Sequence, residues 1–114
     1  MERHFEHDLE GLNQLLLEMA ALAERAVHQS VQAVLESSEA LAQRVLDEEA
    51  AINELQMEVD ERVVELLALS QPVATDLRAV IVASRINHEL ERAGDQAVNI
   101  ARSEERRVGK ECRL

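Results

Sequence analysis

Aromatic side chains are almost missing from this chain: Phe5 stands alone among 114 residues, with no Trp and no Tyr. A core therefore has to be filled by aliphatic groups, and no aromatic platform exists on which bases could stack. Basic residues are outnumbered 12 to 23, and a formal net charge of -11 repels phosphate backbones, which argues against direct nucleic-acid binding. A single Cys excludes an internal disulfide and fits a reducing compartment. No apolar run approaches the roughly 18 to 20 residues needed to cross a bilayer. No basic-then-apolar signal segment opens the chain either. With 3 Gly and 1 Pro, turns are few. These absences lead to the expectation of one soluble, cytoplasmic, helical domain with a modest core.

What is abundant is Ala, Leu, Val, Glu, Gln and Arg, the composition of long helices. Through the first third, Phe5, Leu9, Leu12, Leu16, Met19, Ala23, Ala26, Ser30 and Ala33 recur at steps of three and four, a heptad-like stripe. His4 and His7, at i and i+3 near its start, could share a metal, although such a pair is ordinarily a solvated first turn. Ser37-Ser38-Glu39 reads as a break and a capped helix start. The next stripe holds Leu41, Val45, Ile52, Leu55, Val59, Val63 and Leu66. Its outer faces are strongly acidic and read as solvated. One or two of those acids, Asp60 among them, could turn inward. Ser70-Gln71-Pro72 is the second break, with Pro placed as the first turn of a helix favours it. The prediction is an all-α, up-down-up antiparallel three-helix bundle with helices over about 2–36, 39–70 and 72–101.

The third helix carries the chemistry. Glu91, Asp95 and Asn99 are spaced by four, so they lie one turn above each other on one face. Like charges at that spacing repel by a few tenths of a kcal/mol, so helix stability alone would not select them. On a wheel at 100° per residue, Leu77, Val80, Ser84, Asn87, His88, Glu91, Asp95 and Val98 share one sector. Val82, Ile86, Leu90, Ala93, Ala97 and Ile100 share another, and Arg78, Arg85, Glu89, Arg92 and Gln96 form a charged edge. A helix apolar on two sides is expected to be the most buried of the three. The carboxylate ladder is either the exposed end of a widening sector or a hard-cation site, since its oxygens suit Mg, Ca, Mn or Fe. Gly94, between the two carboxylates, costs about 1 kcal/mol in a helix interior and would make sense where another helix approaches closely.

Composition shifts at the end. Residues 102–114 hold the chain's sole Lys and sole Cys, Lys110 and Cys112, and carry +2, so residues 1–101 carry -13. The apolar periodicity stops at Ala101. The tail reads as disordered, or as non-native: its string from Arg102 to Cys112 resembles a translated sequencing adapter. On that reading, 1–101 is the domain and 102–114 stands outside it.

Two motifs together are specific. Gln71-Pro72-Val73-Ala74-Thr75-Asp76-Leu77-Arg78, followed by Glu89-Leu90-Glu91-Arg92-Ala93-Gly94-Asp95, resembles the third helix of a PhoU repeat. The resemblance covers residues 1 to about 101. It implies an all-helical, non-enzymatic regulator of phosphate transport and of the phosphate regulon, acting as a dimer. Its partners would be the PstB ATPase of the phosphate ABC transporter and the PhoR sensor kinase. It also implies a metal ion (iron, manganese, magnesium or zinc) at an E-x-x-x-D motif, here Glu91 and Asp95, with Asn99 at an accompanying position. Only one such repeat and one such motif are present, where the family carries two repeats. Ala93 also replaces the larger aliphatic residue usual before Gly94.

Two other readings stand beside it. A carboxylate-bridged metalloenzyme on a helical bundle usually needs Glu three residues before His. Met1, His4, Arg25 and Arg85 occupy those positions, and Arg92 takes the place of the second His of H-E-x-x-H. The third reading is an inert truncated fragment. A lone repeat with this much apolar helix surface is expected to self-associate.

Overall fold

The computed structural model describes the backbone of residues 2–112 and the side chains of residues 4–109. Lys110 and Cys112 thus lie outside the described side chains. Three helices follow one another, α1 (Glu2–Glu36), α2 (Glu39–Ser70) and α3 (Ala74–Cys112), in a rod of 65 × 18 × 17 Å. The topology is up-down-up, and each helix packs on both others. α1 and α3 run parallel. Phe5 and Val73 line a groove at one end of the bundle, while Val34 and Ile100 meet toward the other.

Local chemistry explains the first two helices. α1 ends in a Schellman-type turn: Ser37 adopts a left-handed φ of 51°, and the Ser38 N–H donates to the Ala33 carbonyl at 2.9 Å. Ser38 then caps α2, its side chain accepting from the Leu41 N–H at 3.2 Å. Gln71 closes α2 with φ 43°, again left-handed. Inside α1, buried Ser30 satisfies its hydroxyl by donating to the Val27 carbonyl at 2.8 Å, so the polar member of the apolar stripe costs little.

α3 departs from the expected limits at both ends. Pro72 lies before the helix rather than in its first turn. The first helical bond runs from the Leu77 N–H to the Val73 carbonyl at 2.8 Å, which places the helix start at Ala74. At the other end the helix continues eleven residues past Ala101. Ala101 and Glu104 are buried there, and Arg107 donates to Glu104 and to the Ser37 hydroxyl, the latter at 2.7 Å, tying the extension to the α1–α2 turn. With no Pro in 102–112, these contacts carry the helical hydrogen-bond ladder onward.

The core is aliphatic with one aromatic, in two linked clusters. Phe5, Leu12, Leu16, Val59, Val63, Leu66, Val80 and Ala83 fill one. Met19, Ala26, Ala33, Ala42, Val45, Ile52, Ala97, Val98 and Ala101 fill the other, and Leu90 touches both. The α2 stripe is as expected except that Ala42 replaces Leu41 inside, with Leu41 and Leu55 packed at the margin. α3 is not buried on both of its apolar sides. Leu77, Val82, Ile86 and Ile100 are exposed, because α3 turns a narrower and more polar strip inward.

The Glu104 carboxylate is held below the ordinary value of 4.5 by the hydrogen bond from Arg107, helped by that guanidinium's charge and opposed by burial. A carboxyl with a depressed folded-state pKa contributes stability above its unfolded pKa, lost as pH falls through the folded value. The expected outcome is that Glu104→Gln flattens the acid limb. Denaturation midpoints of parent and variant should differ most above pH 4.5 and converge below it. Parallel curves throughout would contradict this account.

Candidate functional site

The polar half of α3 packs beside α2. Asn87 is fully buried, and its Nδ2 donates to the Gln56 carbonyl at 3.2 Å and to Asp60 Oδ1 at 3.0 Å. Gln56 Nε2 donates to the other carboxylate oxygen of Asp60 at 2.7 Å. Both oxygens of Asp60 are therefore engaged, and the carboxylate is half-buried, turned inward out of an otherwise solvated acidic face. The Asn87 Oδ1 meets no donor among the described residues. A buried acceptor left unmet costs roughly 1–3 kcal/mol.

The ladder continues along the same helix toward the surface. Glu91, one turn beyond Asn87, is half-buried; Asp95 and Asn99 are exposed. The apolar, buried α3 positions are Val80, Ala83, Gly94, Ala97, Val98 and Ala101, so a four-residue step walks the ladder away from the core. Asn99 lines a shallow depression with Val34, Ser103 and Arg107 in which neither carboxylate takes part. Glu89 pairs with Arg92 at 3.6 Å in full exposure, a surface contact worth a few tenths of a kcal/mol. Gly94 lies against Ile52 of α2, and a Cβ there would meet Ile52 Cδ1 and Cγ2 at 3.5 Å, ordinary contact. Close helix approach therefore does not demand this glycine.

Glu91 and Asp95 suit a hard cation in kind, as oxygen donors one turn apart, but supply only part of a shell of about six oxygens. Among the described residues no group of three His, Cys, Asp or Glu is placed to hold a metal ion. His4 and His7 are exposed and belong to no such group. Sequence spacing found the ladder and named Asp60 as an acid able to turn inward. It did not single out Gln56 or connect Asn87 to α2, since their pairing depends on how two helices face each other.

The three seams of the bundle differ. Arg25 and Glu48 bridge α1 to α2 at 3.2 Å, and Arg102 and Glu49 bridge α2 to α3 at 3.7 Å. The α1–α3 seam instead opens as a mainly apolar groove lined by Ala20, Ala23, Val27, Val31, Leu90 and Ala93, with Glu24 and His28 also on its wall. No helix among the described residues is long and apolar enough to cross a membrane.

The fold and this edge define a helical-bundle module that presents carboxylates beside a buried amide–carboxylate contact. Comparison with known proteins makes the class specific. The model of the PhoU domain matches residues 16–103. The phosphate-specific transport system accessory protein PhoU homolog of Pseudomonas putida is 39% identical over 102 residues, covering 90% of this chain and 40% of the relative. Its Escherichia coli K12 counterpart, the accessory protein PhoU, is 33% identical over 99 residues, 87% of this chain and 41% of that protein. The crystal structure of PhoU from Pseudomonas aeruginosa superposes with a TM-score of 0.90 at 36% identity, over 93% of this chain and 51% of that one. The chain belongs to the PhoU family. It spans about half the length of the relatives it matches.

Gly94→Ala tests whether the glycine serves the fold. An alanine fits the measured space and is favoured in a helix interior by about 1 kcal/mol. The variant should unfold at higher denaturant concentration than the parent. A lower midpoint would show that α2 and α3 approach more closely than this geometry.

Proposed function

We propose that this chain is one helical repeat of a phosphate-transport accessory regulator that lacks catalytic activity of its own and acts by contact. The observation that carries the reading is the match over some nine-tenths of the chain to proteins named as phosphate-specific transport system accessory proteins. On this reading the repeat restrains phosphate uptake and the phosphate regulon from the cytoplasm, by contacting the PstB ATPase and the PhoR sensor kinase. The open, mainly apolar groove between α1 and α3, with Val27, Val31, Leu90 and Ala93 on its wall, supports pairing of two copies. Sedimentation velocity tests both contacts. The chain alone should sediment as a dimer, and adding purified PstB should create a faster boundary. A monomer that sediments independently of PstB would overturn the reading.

Metal binding belongs to the same proposal. Glu91 and Asp95 would hold a hard cation, with Asn99 contributing at the margin and water or a second protein segment completing the shell. The bound cation would supply a fixed positive charge on an acidic edge, able to attract an anionic partner group. Iron, manganese, magnesium and zinc are the ions to compare. In equilibrium dialysis the parent should bind metal, and the Glu91→Ala/Asp95→Ala double variant should lose at least ten-fold in affinity. Equal metal content in the two would remove these residues from the site.

A further inference from the structure

The inward face of α3 buries a polar residue while large apolar residues of the same helix lie outside. Asn87 is fully buried with its Oδ1 unmet, while Ile86, one residue earlier, is 43% exposed. Val82 and Ile100 are likewise 45% and 38% exposed. One residue is a turn of about 100° around a helix. Rotating α3 by that angle would bring Ile86 inward with Val82, Ala93 and Ile100 and carry Asn87 out to water, while also exposing the buried Val80 and Val98 and moving Glu89 toward the place of Leu90. Ala97, already buried, would stay close to the core. The sequence thus offers two largely apolar faces, and the one holding Val82, Ile86 and Ile100 is left outside.

One contact distinguishes them. Asn87 Nδ2 donates to Asp60 Oδ1 at 3.0 Å and to the Gln56 carbonyl at 3.2 Å. Asp60 is in turn oriented by Gln56 Nε2 at 2.7 Å, so the acceptor is held from within α2. We propose that Asn87 is a rotational lock: its bond to Asp60 selects which face of α3 packs inward, and thereby places Glu91 and Asp95 beside α2. A buried polar contact that specifies orientation at some cost in stability is the role best attested for such groups in helical assemblies. Shape competes through the buried Val80 and Val98, while the rest of the inward strip of α3 is small, with Ala83, Gly94, Ala97 and Ala101. In the alternative rotation Glu91 and Asp95 turn away from α2. Asn87 is thus a positioning residue for the carboxylate edge. Its consequence for metal rests on the preceding proposal, whereas the lock itself is read without metal.

The lock predicts an asymmetry that a merely stabilising bond does not. Asp60→Leu removes the carboxylate acceptor and leaves the Asn87 amide with the Gln56 carbonyl alone, so the second rotation becomes populated. Asn87→Leu added to Asp60→Leu makes the present inward face apolar and restores a single rotation. Asp60→Asn keeps an acceptor oxygen and holds one rotation throughout. Spin labels at Glu61→Cys on α2 and Gln96→Cys on α3, in a Cys112→Ser background, report the arrangement by pulsed electron–electron resonance in metal-free buffer. The expected result is one distance in the parent, two in Asp60→Leu, and one again in both the double variant and Asp60→Asn. If Asp60→Leu does not fold, Asp60→Ala, which also lacks the acceptor, takes its place. A single unchanged distance in the variant without the acceptor would overturn the lock. So would unfolding of both Asp60→Leu and Asp60→Ala with no second folded distance, or two distances persisting in the double variant.

Discussion

An apolar core made almost wholly of aliphatic side chains has little means of telling one helix rotation from another. Dispersion and burial reward contact area, not direction, and a strip in which Val80 and Val98 stand among Ala and Gly offers few knobs to seat. Hydrogen bonds supply the missing direction. In this bundle the bond between Asn87 and Asp60 joins the middle of α3 to the middle of α2, in the part of the rod where the two apolar clusters meet. The placement of the carboxylate ladder and the exposure of Val82 and Ile86 both depend on which way that bond turns α3. An interior polar group retained with one acceptor unmet gives up stability for a defined orientation.

The fold was largely legible in the sequence. The expected ranges 2–36 and 39–70 coincide with α1 and α2, because a serine cap and two short breaks set them locally. The limits of α3 were not legible in the same way. Its start depends on which carbonyl closes the first turn, and Val73 rather than Pro72 supplies it. Its end depends on a tertiary contact, Arg107 reaching Ser37 across 70 residues of chain, which no local pattern announces.

The candidate site divides along the same line. Spacing by four put Glu91, Asp95 and Asn99 on one face, and the structure keeps them on one helix edge while sending the last two to the surface. A four-residue step overshoots a full turn by about 40°, so Asn99 is turned about 80° beyond Glu91 and its exposure follows from that drift. The contact between Asn87 and Asp60 was beyond a single-helix reading. Its partners are 27 residues apart, and the wheel found two apolar sectors without a criterion for choosing between them.

The brevity of the two turns has a kinetic consequence. Two residues separate α1 from α2, and three separate α2 from α3. Each antiparallel hairpin can therefore close with almost no loop to immobilise, and its contacts grow outward from the turn. The parallel meeting of α1 with α3 is different, because it joins segments some 70 positions apart, as Ser37 and Arg107 are. Folding by this topology is zipper-like for two of the seams and a docking event for the third. The last seam to assemble is thus the one lined by Val27, Val31 and Ala93, where half-open hydrocarbon waits on the docking of α3 against α1.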